Sequence, residues 1–305
     1  MQQSNNTSEF LLMDFSISPL VKIIMAPVLL LTYSFTIFEN LALIVIIKVN
    51  IFLHTPMYFF LANFSLLECC YTTIVIPKTL YILISDIRII FLSNCVIQLY
   101  MFTSLGATEC LLLAIMAYDR YVAICYPLHY SFRINSNLCI VFVFCSWFIG
   151  FLSPIVPSIF VSQLQFCRHR VNHFFCDIPP ILQLTCSSTR HIELSVSFIS
   201  STILMSSFIV ITFSYSRIFL TIISMHSRQG LQKAISTCVS HLTVVCIYYG
   251  SGIFMYVRPN AYQTLETNKL VALLYAVLTP LLNPLIYSFR NNDVKVALRS
   301  LLNIK

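Results

Sequence analysis

The chain has 305 residues, 58% of them hydrophobic and only 10% charged, with a formal net charge of +7 and a mean hydropathy of +0.85. A soluble domain carries about 25% charged residues, so folding alone cannot hide this much apolar surface, and a water-soluble globular protein is excluded. The bilayer must serve as solvent, which leaves an integral membrane protein.

Residues 1–23 are polar or mixed, with Glu9 and Asp14 and no basic stretch. That pattern predicts an extracellular tail leading into a retained span rather than a cleaved leader. Asn5 and Asn6 each open an Asn-X-Ser/Thr triplet in this tail, the acceptor pattern for glycosylation. Seven apolar stretches then reach the length of about 20 residues that a span requires: 24–47, 57–82, 94–125, 139–161, 194–223, 235–257 and 269–289. They predict an all-α membrane protein, one seven-transmembrane helix bundle filling residues 1–305. The last stretch is split by Pro280 and Pro284. In the closing segment, 290–305, Val294, Leu298, Leu301 and Leu302 recur at helical spacing beside Arg290, Lys295 and Arg299, which predicts a short amphipathic C-terminal helix lying on the membrane.

Seven spans put the termini on opposite sides. With the N-terminus outside, ten Lys and Arg lie on the inner side against eight on the outer, and the inner side carries only Asp119 and Asp293 among the acids. Basic residues favour the cytoplasm, so the expectation is N-out and C-in, with the basic inner segments around Arg228, Lys233 and the terminal helix facing anionic lipids. Eight of the twelve cysteines lie in or beside apolar runs. Cys95, Cys167, Cys176 and Cys186 lie outside or at the ends of them, a set that suggests disulfides on an oxidising face, with three pairings open. No repeat relates one group of spans to another, and no phosphate-binding loop or metal-ligand spacing occurs, so neither an enzyme nor a nucleic-acid partner is indicated.

Two features carry chemistry. Asp119-Arg120-Tyr121 places an ion pair where the third span leaves the membrane, a position at which charge is costly unless it pairs, reaches water or acts. No Asp or Glu occurs between Glu193 and Glu266, so the sixth span offers Arg120 no acid, and its restraint falls to Asp119, hydroxyls or packing. Glu39, Glu68 and Glu109 lie well inside the first three spans with no Lys or Arg at that depth. They are either protonated carboxyls hydrogen-bonded to water and Asn, or a pair, Glu68 and Glu109, that shares a cation.

Five motifs in order carry a resemblance: Leu53-His-Thr-Pro-Met-Tyr-Phe-Phe-Leu61, Met116 to Tyr130, Ser214-Tyr215, Lys233 to Leu242, and Pro280-Leu-Leu-Asn-Pro-Leu-Ile-Tyr287. Together the chain resembles the odorant receptors among the rhodopsin-like G-protein-coupled receptors. The resemblance implies a plasma-membrane receptor for small, mostly apolar volatile odorants that activates a stimulatory G protein and raises cyclic AMP. It implies a switch at Asp119, Arg120, Tyr121, Tyr215, Lys233, Asn283, Pro284 and Tyr287, and disulfides Cys95–Cys176 and Cys167–Cys186. It implies a ligand pocket from Met101, Phe102, Ser104, Leu105, Thr108, Ile199, Ile203, Tyr249, Gly252 and Leu273. A regulatory sodium ion at Glu68, Glu109 and Asn283 is the sharper reading of the buried acids; no other cofactor is expected. Glu39-Asn40 departs from the family's usual Gly-Asn. The rival readings are a small-solute transporter or channel, and an odorant-type receptor that senses metabolites outside olfactory tissue.

Overall fold

A computed structural model describes residues 9–12, 19–85, 87–225, 228–256, 276–277, 279–286 and 292–301; at 19–20, 228–230, 233, 236–237, 252–256, 292–293 and 301 it describes the backbone alone. The spans form as long helices: α1 (Pro19–Val49), α2 (Pro56–Ser85) and α3 (Leu92–Cys125). The chain then turns through Pro127–His129 into a one-turn helix, α4 (Tyr130–Arg133). Asn135 caps α5 (Ser136–Leu152) by accepting the Leu138 N–H at 2.8 Å, which satisfies a donor that the first turn leaves open. A break at Ser153-Pro154 separates α5 from α6 (Ile155–Ser162), and the two share the fourth stretch. A long loop holds the short α7 (Ile178–Leu182), followed by α8 (Arg190–Ile223) and α9 (Arg228–Tyr256). The helical residues 279–286 form α10, and α11 (Asn292–Leu301) closes the described chain.

Five segments are long and apolar enough to cross a membrane: Val21–Val49, Pro56–Ser85, Leu92–Cys125, Ser136–Ser162 and Arg190–Ile223. The expected sixth span falls within α9, where Cys238–Ser251 is apolar. Much of the expected seventh, 269–275 and 287–289, lies outside the described residues, as do Asn5 and Asn6. Large side chains such as Phe38, Phe198 and Phe219 stand exposed on the helix faces, as they must where the hydrocarbon is the solvent.

Two cores divide the molecule. The larger runs down the bundle and includes Phe60, Phe64, Leu67, Leu112, Leu113, Ala117 and Val122. The smaller covers one end and is built from Phe10, Leu12, Ile90, Val161, Phe166, Val171 and Cys176. At that end the all-α expectation is corrected. Glu9–Leu12 (β1) pairs antiparallel with Ile89–Phe91 (β2) and parallel with Arg170–Val171 (β3), in the order β2-β1-β3. The strand forms because Phe10 and Leu12 alternate with Glu9 and Leu11, which gives it one buried face; four residues are too few for that alternation to stand out beside long apolar runs.

Both disulfides, Cys95–Cys176 and Cys167–Cys186, are formed at this end with Cα atoms 5.4 Å apart in each. Gln98 of α3 reinforces the first: its amide oxygen accepts the Cys176 N–H at 3.0 Å and its amide nitrogen donates to Ile74 O at 2.9 Å. The loop thereby drives Phe174 and Phe175 into the larger core, the Phe175 ring tilted against Phe102 at 4.8 Å. At the opposite end α11 buries Val294 and Ala297 while Leu298 stands exposed, so its inward face is narrower than the leucine stripe suggested. Leu301's side chain and Leu302 lie outside the described residues.

Candidate functional site

At the end of the bundle away from the disulfides, α3 presents Asp119 and Arg120 as an ion pair, Asp119 fully buried and the Arg120 side chain 12% exposed. Asp119 has a second partner. The Tyr130 hydroxyl, on α4, donates to its Oδ1 at 2.6 Å. Burial, and then the neighbouring carboxylate, push the Tyr130 phenol above its ordinary range, so it remains a donor. Opposite Arg120, the Tyr215 hydroxyl of α8 meets His241 Nδ1 of α9 at 2.9 Å, with the two rings stacked at 5.7 Å. The Arg120 charge reaches His241 and Tyr215, so α8 and α9 lie within electrostatic range of the pair that α3 and α4 hold. Tyr121 points toward α8 instead, its ring against Phe213 at 5.9 Å and its hydroxyl donating to Tyr126 at 3.4 Å.

Halfway along the bundle lies a second polar layer. Asn283 of α10 donates its amide to Glu68 of α2, and Asn40 of α1 donates to Thr36 O at 2.9 Å and to Pro280 O at 3.3 Å. Glu68, Glu109, Asn40 and Asn283 are all buried, and the Glu109 and Glu68 carboxyls are close enough to repel when charged. Among the described residues four oxygen acceptors have no hydrogen-bond partner here: Glu68 Oε2, Glu109 Oε1, Asn40 Oδ1 and Asn283 Oδ1. An all-oxygen donor set of this kind suits a hard cation. Both Glu39 carboxylate oxygens also lack a hydrogen-bond partner among the described residues. Among those residues no group of three His, Cys, Asp or Glu converges as a metal site.

Beside this layer, three helices meet at a hydrogen-bonded triangle. Cys110 of α3 lies 2.8 Å from the Ser207 hydroxyl of α8 and 3.3 Å from the Tyr249 hydroxyl of α9, and Ser207 and Tyr249 are 2.6 Å apart. Tyr248 adds a bond from α9 to Gly106 O at 2.8 Å. Of the residues expected to line a ligand pocket, Tyr249 is a member of this triangle.

Comparison with known proteins gives the family. The family model for olfactory receptors matches residues 29–305. Olfactory receptor 6B9 of Mus musculus is 43% identical over 300 residues, covering 98% of this chain and 95% of the mouse protein. Olfactory receptor 226 of Rattus norvegicus and olfactory receptor 6A2 of Homo sapiens are each 44% identical over 306 residues, covering 99% of this chain and 94% of theirs. The chain belongs to the olfactory receptor family. It is a multi-pass G-protein-coupled odorant receptor, not an enzyme.

In this olfactory receptor the expected pocket residues divide into groups. Tyr249 belongs to the triangle and Ile203 borders it, since the Ile203 carbonyl also meets Cys110, and Ile199 lies one helical turn earlier on α8, half-buried. Phe102 turns toward α2 and the loop, against Tyr71 at 5.1 Å and Phe175. Ser104 and Thr108 bond carbonyls of their own helix and face α5, where a Cβ added at Gly150 would fall 2.0 Å from Thr108 Oγ1. Leu105 is buried in the larger core, and Met101 is half-buried. Leu273 and Tyr287 lie outside the described residues, as does the side chain of Lys233, and of Gly252 only the backbone placement in α9 is described. Pro284 is buried in α10.

Sequence reasoning missed Tyr130, His241, Cys110 and Ser207. The first two stand inside quoted motifs, but nothing in their spacing says that Tyr130 reaches back 11 positions or that His241 faces Tyr215. Cys110 and Ser207 read as ordinary small residues of apolar helices.

Proposed function

We propose that odorants bind between α3, α8 and α9 above the Cys110–Ser207–Tyr249 triangle, with Ile199, Ile203, Leu105, Met101, Gly252 and Leu273 supplying apolar wall, and that binding raises cyclic AMP through a stimulatory G protein. The carrying observation is the Asp119–Arg120 pair, bonded to Tyr130 and within electrostatic range of Tyr215 and His241. In the resting receptor Asp119 holds Arg120 and is itself held by Tyr130. Activation swings α9 outward, parts His241 from Tyr215, and frees Arg120 to extend into the G protein, with Lys233, Pro284 and Tyr287 completing the movement. A wall of this kind selects small and mostly apolar ligands, oriented by one or two hydrogen bonds.

The disulfides support an N-out, C-in orientation in the plasma membrane, since they form in oxidising compartments and lie at the end that carries β1, while Asp119 lies at the other. Glu68, Glu109 and Asn283 would hold the regulatory sodium ion. Such an ion supplies positive charge between two acids and favours the resting packing of α2, α3 and α10. A cyclic AMP reporter screen of an odorant panel, with surface expression measured in parallel, tests this reading. Ligand-evoked cyclic AMP that disappears in Arg120→Ala is expected. Odorant-independent solute flux, or signalling indifferent to Arg120, overturns it. For the ion, potency that ignores sodium in the wild type rules out a regulatory role.

A further inference from the structure

Tyr126 opens the loop after α3 and is held among cations. Arg133 of α4 lies over its ring, the guanidinium carbon 4.1 Å from the centroid. Arg217 of α8 lies one turn before Thr221, within electrostatic range of Tyr126, and Tyr121 donates to the Tyr126 hydroxyl at 3.4 Å. The seam is closed beside it by Cys125 Sγ and Thr221 Oγ1 at 3.1 Å. Both arginines are exposed and Tyr126 is half-exposed. The Tyr121 hydrogen bond, and then Arg217 and Arg133, hold the Tyr126 phenol below its ordinary range.

No carboxylate offsets these cations. The sequence has no Asp or Glu between Asp119 and Asp177, nor between Glu193 and Glu266, and among the described residues neither Arg133 nor Arg217 forms an ion pair. Two planar guanidinium forks beside phenolic hydroxyls match the geometry and hydrogen-bonding capacity of a phosphate. The setting favours a lipid over a soluble anion. Phe213 and Leu220 on α8, either side of Arg217, and Leu128 and Phe132 around Arg133 are all exposed, as side chains that enter acyl chains are.

We propose that Arg133, Arg217 and Tyr126 form a binding site for the phosphomonoester of a polyphosphoinositide headgroup, at the seam between α3 and α8. The lipid's location in the cytoplasmic leaflet rests on the orientation given under Proposed function. Nanodiscs expose both faces, so binding there tests the site independently of that orientation.

The test uses the full-length receptor in phosphatidylcholine nanodiscs, doped either with phosphatidylinositol 4,5-bisphosphate or with phosphatidylserine at matched charge, and native mass spectrometry to count retained lipid. The phosphoinositide is expected to be retained over phosphatidylserine, and Arg133→Gln/Arg217→Gln to weaken retention by about tenfold or more as charge-assisted bonds are lost, with an unchanged melting temperature. Should the double variant not fold, Arg133→Gln alone, at an exposed position, is expected to give a smaller loss in the same direction. Equal retention of phosphatidylserine, or full retention by a folded variant, overturns the site. Soluble inositol trisphosphate that binds as tightly as the lipid overturns the lipid as its ligand.

Discussion

Tyr130 donates its hydroxyl to Asp119 Oδ1 at 2.6 Å, so the carboxylate that pairs with Arg120 is positioned from the loop beyond its own helix. The restraint on Arg120 is therefore shared between α3 and α4. Asp119→Asn removes the charge of the pair, and a hydrogen bond to a charged group contributes about 1.5–3 kcal/mol. Basal cyclic AMP is expected to rise at matched surface expression. Tyr130→Phe is expected to raise it less, and the double variant to fall short of the sum, because both changes act on one network. Unchanged basal signalling in Asp119→Asn would remove the latch.

The Cys110–Ser207–Tyr249 triangle ties three helices at the base of the proposed cavity. Tyr249→Phe removes two of its three contacts and leaves Cys110 bonded to Ser207. At about 1 kcal/mol for a neutral hydrogen bond, odorant potency is expected to shift by roughly fivefold without loss of surface protein. Dose–response curves that superimpose on wild type would show that the triangle only packs the bundle.

Gly150 admits Thr108 so closely that any Cβ there would overlap the Thr108 hydroxyl and press on Ser104 O at 3.0 Å. Gly150→Ala must push α5 away from α3, and over-packing of this kind costs about 1–3 kcal/mol. A lower melting temperature in detergent is expected, recovered in part by adding Thr108→Ala. Equal melting of Gly150→Ala and wild type would contradict the close approach.

Glu39 keeps both carboxylate oxygens buried without a hydrogen-bond partner among the described residues, and it feels the charge of Glu68. Insertion scales assign an ionised residue at mid-helix about 2.5–3.5 kcal/mol, and no cation lies at that depth. Glu39→Gln and Glu39→Gly are expected to increase the surface fraction, measured by flow cytometry. A fall in both variants would mean that Glu39 has a partner that the bundle needs.

The helical segments were legible because span length and apolar run length are nearly the same quantity in a bilayer. The predicted third stretch, 94–125, falls inside Leu92–Cys125, and the fifth, 194–223, ends where α8 ends. The single fourth stretch hid a break at Pro154, since hydropathy continues unbroken across the interrupted backbone. Motif order placed Asp119, Arg120 and Tyr215 on the correct elements. What escaped were contacts between elements: Tyr130 with Asp119, His241 with Tyr215, Ser207 with Cys110. Each depends on how helices rotate about their axes, and α8 and α2 are apolar on every side, so periodicity carries no such information for them. Ser104 and Thr108 show the same limit, since a hydroxyl in a span can be consumed by its own helix.

The strand Glu9–Leu12 sits between partners from residues 89–91 and 170–171. It is made before either partner, and its second neighbour emerges only after six helices, α1 to α6. The strand must therefore wait for β3 while four spans are made, and it completes its sheet only once the loop after α6 arrives. A quality-control step that reads this strand would be reading whether everything up to the second loop disulfide has already assembled.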